Sequence, residues 1–428
     1  GMVHQHFQLV GTLTVAQNIL LGCEPRQGFF FAERKASRLV NELAERIGLP
    51  IDPTAKVEQL PVGLQQRVEI LKVLQRNAKI LIFDEPTAVL TPQEIEELGM
   101  VMQRLAQAGK AIVFITHKLR EVMAFATAIT VMRAGRVVGR VAPSDTDTRH
   151  LAALVVGRPL AASPDEPPCQ RGEVLLEVRG LSCNNDRHLP ALDNVSLDVH
   201  AGECVGIIGV AGNGQSELVE VLTGLRRPEA GLIRLAGEDV TKARPRKLRE
   251  RKVGHVAEDR LRRAIIKTFS VADNLVLDSY YRPPFCQAGM LDKNAILSHA
   301  RALIARYQIK VPGPKTPINA LSGGNQQKVV VARELAENNQ LLIISQPTRG
   351  VDAGAAEFIH EQIRARKKSG VGILLVTNEL DELMTLADRL AVIYRGRIVT
   401  WRLRGELGRD MLGKLMIGGQ TTGELPHA

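Results

Sequence analysis

The chain has 428 residues, 45% of them hydrophobic and 24% charged, with a formal net charge of +10. That is the composition of an ordinary globular protein with sizeable cores, in two or three domains at roughly 150 residues each. Its longest apolar runs are strand-sized, well short of the roughly 20 residues that span a bilayer, and its five cysteines form no C-x-x-C pair, as expected of reduced thiols in a cytosolic protein.

The opening Gly1-Met2-Val3-His4-Gln5-His6-Phe7 sets two histidines around a glutamine. No further ligands cluster nearby, so a metal reading is set aside. A strand over 79–84 ends in two carboxylates, Asp84 and Glu85, followed by Pro86-Thr87. A helix over 92–108, a strand over 111–116 closed by His117, a helix from Leu119 and a strand over 129–133 come next. Apolar strands alternating with longer amphipathic segments predict a mainly parallel sheet covered by helices. Paired carboxylates at a strand end suit phosphoryl chemistry: Asp84 to hold Mg²⁺ through water, Glu85 to polarise an attacking water, and His117 to reach a γ-phosphate.

Prolines at 159, 164, 167 and 168 mark a linker over 159–172. It separates a first domain over 1–158 from a second over 173–428. In the second, the strand over 204–208 leads into Gly209-Val210-Ala211-Gly212-Asn213-Gly214-Gln215-Ser216 and a helix over 217–225 that begins with Glu217. This is the G-x-x-x-x-G-K-[ST] frame with glutamine in place of lysine. Gly209, Gly212 and Gly214 let backbone wrap phosphates at a helix N-terminus, and Ser216 can reach Mg²⁺. Gln215 cannot supply the charge that grips the β- and γ-phosphates. A Gly-rich turn alone is equally a structural turn; the strand–loop–helix context favours phosphate. The basic run over 242–252 reads as a solvated helix face. Aromatics are only 4% of the chain and none interleave with it, which argues against nucleic-acid stacking platforms.

An internal repeat organises all of this. Residues 60–138 align without a gap on 321–399, at an offset of 261, and 12–18 align on 268–274 at an offset of 256. Two copies of this length are duplicated domains, not a solenoid. The copies differ where chemistry is expected. Leu321-Ser322-Gly323-Gly324-Asn325-Gln326-Gln327 can donate to a γ-phosphate from Ser322 and the amides of Gly323 and Gly324, helped by the helix dipole. The first copy has Leu60-Pro61-Val62-Gly63: Pro61 lacks both hydroxyl and N–H, and Val62 adds a side chain. Proline suits a helix start, so the helix survives there while phosphate binding suffers. Conversely, Asp84, Glu85 and His117 fall on Ser345, Gln346 and Asn378. Gly1 matches Gly254, 81 residues past Glu173. The first copy is therefore expected to be truncated at its start, with exposed apolar surface where a strand and helix are missing.

Taken together these residues resemble the twin nucleotide-binding domains of an ABC transporter. The resemblance implies an α/β fold of two tandem ABC-type P-loop ATPase domains. Each would be a mainly parallel sheet with flanking helices and a helical subdomain, the first incomplete. It makes 321–327 the signature, Asp84-Glu85 the Walker B pair, His117 the switch histidine, Gln5 the loop glutamine that senses nucleotide and permease, and Asp352 part of the D-loop, matched by Thr91. Glu258 stands where a second such glutamine would be. Fused-domain importers for simple sugars and nucleosides are the most similar branch.

The resemblance further implies that the domains face head to tail. One composite ATP site joins Gln5, Asp84, Glu85 and His117 to Ser322, Gly323, Gly324 and Asp352. The other joins 209–216 to 60–64, degenerate on both sides. ATP and Mg²⁺ are the implied ligands. The implied partners are transmembrane permease subunits at the cytoplasmic membrane face and, through them, an extracytoplasmic substrate-binding protein. No nucleic acid is expected. The rivals are a soluble twin ATPase acting on ribosomes or DNA, which usually carries two intact loops and a charged linker, and a non-catalytic remnant.

Overall fold

A computed structural model describes the chain except for residues 5, 6, 29, 77, 88, 89, 91, 117, 134, 157–170, 211, 337, 417 and 419–428, and the side chains of 62, 92, 93, 149, 156 and 410. Gln5, Thr91, His117 and most of the 159–172 segment thus lie outside the described residues. Two compact units are present, Gly1–Leu160 and Ala161–Ala428.

The second unit is built on a six-stranded sheet in the order Val253–Val256, Leu341–Ser345, Gly372–Thr377, Cys204–Ile208, Arg389–Tyr394, Arg397–Leu403. The first five strands run parallel and the last antiparallel. Cys204–Ile208, Leu341–Ser345 and Gly372–Thr377 are buried at every residue, as continuous apolar runs in a parallel sheet require. Alternate side chains enter opposite cores. Ile343, Leu374 and Val376 pack with Val178 and Val199 of an antiparallel sheet and with Leu218 of the helix Gln215–Leu222. Ile344, Ile373 and Leu375 pack with Val329 and Val330 of the helix Gly323–Ala336 and Ile359 of Ala353–Lys368.

That helix Gln215–Leu222 starts two residues before the expected 217 and ends three before 225. Gly214, at φ +102°, already accepts the first helical bond from the Leu218 amide (2.9 Å). At the other end, Gly224 turns left-handed (φ +74°) and the Leu225 amide folds back onto the Glu220 carbonyl (2.8 Å), which ends the helix.

The first unit repeats this plan with a gap. Met2–Val3, Ile80–Asp84 and Ala111–Ile115 form a parallel three-stranded sheet, while Ile129–Arg133 and Arg136–Val141 form a separate hairpin. In the second unit the aligned strands Gly372–Thr377 and Arg389–Tyr394 both pair with Cys204–Ile208. Among the described residues the first unit has no strand in that place. One face of its sheet is covered, Leu81 and Phe83 being 1% exposed. The other is open, with Ile80, Val113 and Ile115 at 57%, 48% and 47%. Their counterparts Leu341, Leu374 and Val376 are buried in the second unit's core. The exposed apolar surface expected from the sequence is therefore present.

The repeat extends to side-chain hydrogen bonds. Thr14 and Gln17 form a reciprocal capping box, and so do Ser270 and Asp273. Asn18 accepts the Val10 amide (2.8 Å), as Asn274 accepts that of Ile266 (2.9 Å). Strand pairing sets Val3 opposite Phe83 and Val256 opposite Ile344, an offset of 253. By Thr14 and Ser270 the offset is 256. The second unit therefore gains three residues in between, around a π-helical turn at Arg260–Ala264.

An ionic core supports that edge of the sheet. Glu334 is held between Arg249 (2.6 Å) and Arg333 (2.9 Å) and accepts the His255 amide (3.1 Å). Burial pushes the Glu334 carboxyl up, but the two guanidiniums outweigh it and hold the group well below the usual carboxylate range. Burial pushes His255 down to about 4, with Arg249 and Arg333 opposing its charge and Glu334 favouring it.

Two predictions follow from this packing. Because the folded pKa of His255 lies below the unfolded value of about 6.5, the unfolded state takes the proton first as pH falls. Stability should drop between about pH 6.5 and 4, by at most about 1.4 kcal/mol per pH unit from this group. Thermal melts between pH 7 and 5 should show the slope, and His255→Gln should flatten it. Separately, Val113→Thr with Ile115→Thr should lower the fluorescence of an apolar-surface dye and change stability by no more than about 1 kcal/mol, since both side chains are already half-exposed.

Candidate functional site

In open α/β sheets ligands gather at the carboxyl ends of the strands, and the expected site residues lie there. Strand Ile80–Asp84 ends in Asp84, and Glu85 follows at φ +46°; Leu341–Ser345 ends in Ser345, and Gln346 follows at φ +44°. A left-handed conformation costs an L residue roughly 1–2 kcal/mol. In both units it turns the chain so that this residue's amide bonds the neighbouring strand: Glu85 to the Ile115 carbonyl (2.9 Å), Gln346 to that of Val376 (2.8 Å). A further bond fixes each turn. Thr87 donates to Glu121 and Thr348 to Glu382, each at 2.7 Å. The corner is thus the same device twice, with two half-buried carboxylates in the first unit and buried Ser345 with half-buried Gln346 in the second. The Thr87–Glu121 pair, beyond the residues expected from the sequence, recurs as Thr348–Glu382 at the 261 offset.

In the second unit the 209–216 loop leaves strand Cys204–Ile208 and is locked from several sides. Asn213 accepts the Arg395 amide through its side chain (2.9 Å) and the Gly396 amide through its carbonyl (3.0 Å). Gly212 and Gly214 have φ of +89° and +102°. A Cβ on Gly214 would stand 2.5 Å from the Ala191 carbonyl oxygen, and one on Gly209 2.6 Å from that of Ile393. Gly212 and Ser216 are exposed and Glu217 half-buried. Gln215 turns inward, 6% exposed, and donates to the Asn378 side chain (3.2 Å). The two amides standing in for lysine and histidine are therefore spent partly on each other.

Glu258 is the hub of this cleft. Its Oε2 accepts the Ser216 hydroxyl (3.0 Å), and its Oε1 accepts Gln346 Nε2 and Arg349 Nη1 (both 2.9 Å). Where the first unit has Asp84 and Glu85, the second unit's carboxylate comes instead from Glu258, two residues after strand Val253–Val256. The donor set suits a phosphate ligand at the backbone of the loop, and the Ser216 hydroxyl with the Glu258 carboxylate offers the hard oxygens that Mg²⁺ takes. A lysine ammonium is the component this set lacks.

Ser322 is exposed beside the start of helix Gly323–Ala336, and its hydroxyl accepts from Asn325 (2.9 Å). Asp352 caps helix Ala353–Lys368 by accepting the Ala355 amide (2.9 Å). A Cβ on Gly324 would lie 3.4 Å from Asp352 Oδ2, so Ser322, Gly323, Gly324 and Asp352 form one surface. The aligned helix Val62–Gln75 starts after Pro61 (φ −54°) with no side-chain cap. There the Glu94 carboxylate lies over Gly63, where a Cβ would stand 2.0 Å from Oε1. Its counterpart is Ala355, 3.6 Å from the Gly324 Cβ position. A negative charge on this helix start opposes a phosphate there. The sequence signal, Glu94 aligned on Ala355, was available and unused. Asp84 and Glu85 belong to the first unit, and 209–216, Ser322–Gly324 and Asp352 to the second.

The family model described as ABC transporter matches residues 1–88 and 192–349. The chain is 46% identical over 419 residues to a nucleoside import ATP-binding protein of Lactococcus lactis, covering 98% of this chain and 83% of that protein. It is 44% identical to a guanosine import ATP-binding protein of Bacillus subtilis, over 98% and 82% respectively. It is 41% identical to a glucose import ATP-binding protein of Haloferax volcanii, also over 98% and 82%.

The loop geometry is open to test by two alanines. Gly214→Ala combines left-handed strain with a backbone clash and should cost about 2 kcal/mol or more, with loss of binding to a fluorescent ATP analogue. Gly212→Ala, with nothing within 4 Å, should cost only the strain, about 1 kcal/mol. Thermal melts and fluorescence titration measure both.

Proposed function

This chain belongs to the ABC transporter family, and we propose that it is the ATP-binding subunit energising an importer of nucleosides or simple sugars. The observation that carries the reading is the matched pair of strand-end corners. Glu85 holds a carboxylate in the same left-handed turn in which Gln346 holds an amide, within a chain similar along 98% of its length to nucleoside and guanosine import subunits.

The two units would work head to tail. The catalytic composite site joins Gln5, Asp84, Glu85 and His117 to Ser322, Gly323, Gly324 and Asp352. Asp84 would orient a hydrated cation, Glu85 would take the proton of the attacking water, and His117 would steady the terminal phosphate. Bound Mg²⁺ supplies charge neutralisation to the phosphates. The second composite site joins 209–216 to 60–64. Here Gln346 cannot act as a base, Gln215 brings no charge, and Glu94 with Pro61 weakens the facing helix start, so nucleotide would be held without turnover. The segments 11–48 and 268–308 would grip permease subunits on the cytoplasmic membrane face, and a binding protein on the other side would deliver the solute. Among the described residues no helix is long and apolar enough to cross a membrane.

No loop in these 428 residues carries the lysine of the G-x-x-x-x-G-K-[ST] frame. The purified chain should therefore bind a fluorescent ATP analogue weakly. It should hydrolyse ATP at least roughly a hundredfold more slowly than the about 10 s⁻¹ typical of enzymes. Faster turnover that Glu85→Gln leaves unchanged would remove Glu85 from its role. Captured from detergent-solubilised membranes, the chain should bring down a multi-span membrane protein; ribosomes without one would overturn the importer reading.

A further inference from the structure

The tripeptide Glu258-Asp259-Arg260 touches two functional surfaces of the second unit at once. Asp259 accepts the amides of Leu261 (3.0 Å) and Arg262 (3.1 Å), which closes the π-helical turn Arg260–Ala264. This is where the second unit has its three added residues. On one side Glu258 holds Ser216 of the loop, together with Gln346 and the Arg349 side chain. On the other, Arg260 Nη1 donates to the Arg349 carbonyl (2.9 Å) and Nη2 to that of Gly350 (3.5 Å). Arg349 is thus gripped twice, by its guanidinium and by its carbonyl.

Arg260 is also wedged against the start of helix Gly323–Ala336. A Cβ on Gly323 would stand 2.6 Å from Arg260 Nη2 and 3.3 Å from the Gly350 carbonyl oxygen. Its Nε is buried with no hydrogen-bond partner, so the guanidinium is held by these two carbonyls and by packing. The residue is half-buried, and its planar fork lets one guanidinium reach both carbonyls. Asp352 stands two residues after Gly350, beside Gly324.

We propose that Glu258 and Arg260 form a clasp that transmits occupancy of the 209–216 loop to the surface formed by Ser322, Gly323, Gly324 and Asp352, with Arg260 as its positioning residue. The proposal rests on the reading that this loop binds nucleotide. A phosphate-bound cation that takes the Ser216 oxygen and the Glu258 carboxylate together draws the carboxylate off Arg349. Arg260 then holds the 349–350 backbone alone, and the loop leading to Asp352 loosens. A loop that does not turn over nucleotide thereby still sets the readiness of a surface used elsewhere in catalysis.

Hydrogen–deuterium exchange on the purified chain, with and without Mg²⁺–ATP, tests this. In the parent chain Mg²⁺–ATP should speed exchange of the 349–352 amides threefold or more. Arg260→Ala should speed it tenfold or more in either condition, with strand Cys204–Ile208 still protected, and Arg260→Lys should restore only part of the protection. Glu258→Gln should abolish the response to nucleotide. A fluorescent ATP analogue titrated in parallel separates the two ideas. Binding that Gly214→Ala removes, with exchange at 349–352 unmoved, overturns the clasp and leaves the loop reading intact. No binding, or binding that Gly214→Ala does not affect, overturns the loop reading and the coupling built on it. Unchanged exchange in Arg260→Ala overturns the clasp by itself.

Discussion

Strand Cys204–Ile208 pairs in parallel with Gly372–Thr377 on one side and Arg389–Tyr394 on the other, and much of the second unit's architecture depends on that double pairing. It joins the two halves of the six-stranded sheet. It brings Val205 and Ile207 into one core and Cys204 into the other. Its carboxyl end releases the 209–216 loop where Asn378 and Glu258 can meet it. In the first unit the same flanking strands, Ala111–Ile115 and Ile129–Arg133, belong to separate sheets, and apolar side chains that would face a covering layer remain exposed. One strand thus links the integrity of a sheet to the presence of a phosphate-type loop.

The corner of the second unit is satisfied in part, with Gln215 Oε1 and Glu382 Oε2 buried without a partner. Gln215 bonds Asn378, and Glu258 bonds Ser216, Gln346 and Arg349. A buried polar group left unpaired costs about 1–3 kcal/mol; Gln215 bears that cost at its Oε1, while its Nε2 and that of Gln346 find acceptors within the cleft. The left-handed corner at Gln346 persists although its catalytic-type side chain is gone. Its amide bond to Val376 and the Thr348–Glu382 bond keep the turn useful for packing. The first unit shows the complementary pattern: intact carboxylates at Asp84 and Glu85, and a helix start at Pro61 and Gly63 crowded by Glu94.

Much of this was legible in the sequence. The strands 129–133 and 204–208 appear at the expected residues, and others within a residue or so, because short runs rich in apolar and β-branched residues, bounded by polar or turn residues, read as strands. The 261-residue offset identified the duplicated corner, and residue chemistry alone distinguished Glu85 from Gln346. The helix after the loop was misplaced by two residues because Gly214 contributes its carbonyl to the helix from a left-handed conformation that sequence does not display.

Sequence therefore determined the main helices and strands around the site, the duplication, the family resemblance and the positions at which the two copies differ in carboxylates, since each follows from local pattern and residue identity. Tertiary structure alone decided that Gln215 is spent on Asn378 across 163 residues, that Glu94 lies over Gly63, and that Arg260 clasps a carbonyl 89 residues away. Those contacts depend on sheet register and on three added residues in one turn. Distances between side chains far apart in the chain are set only when the strands carrying them are paired.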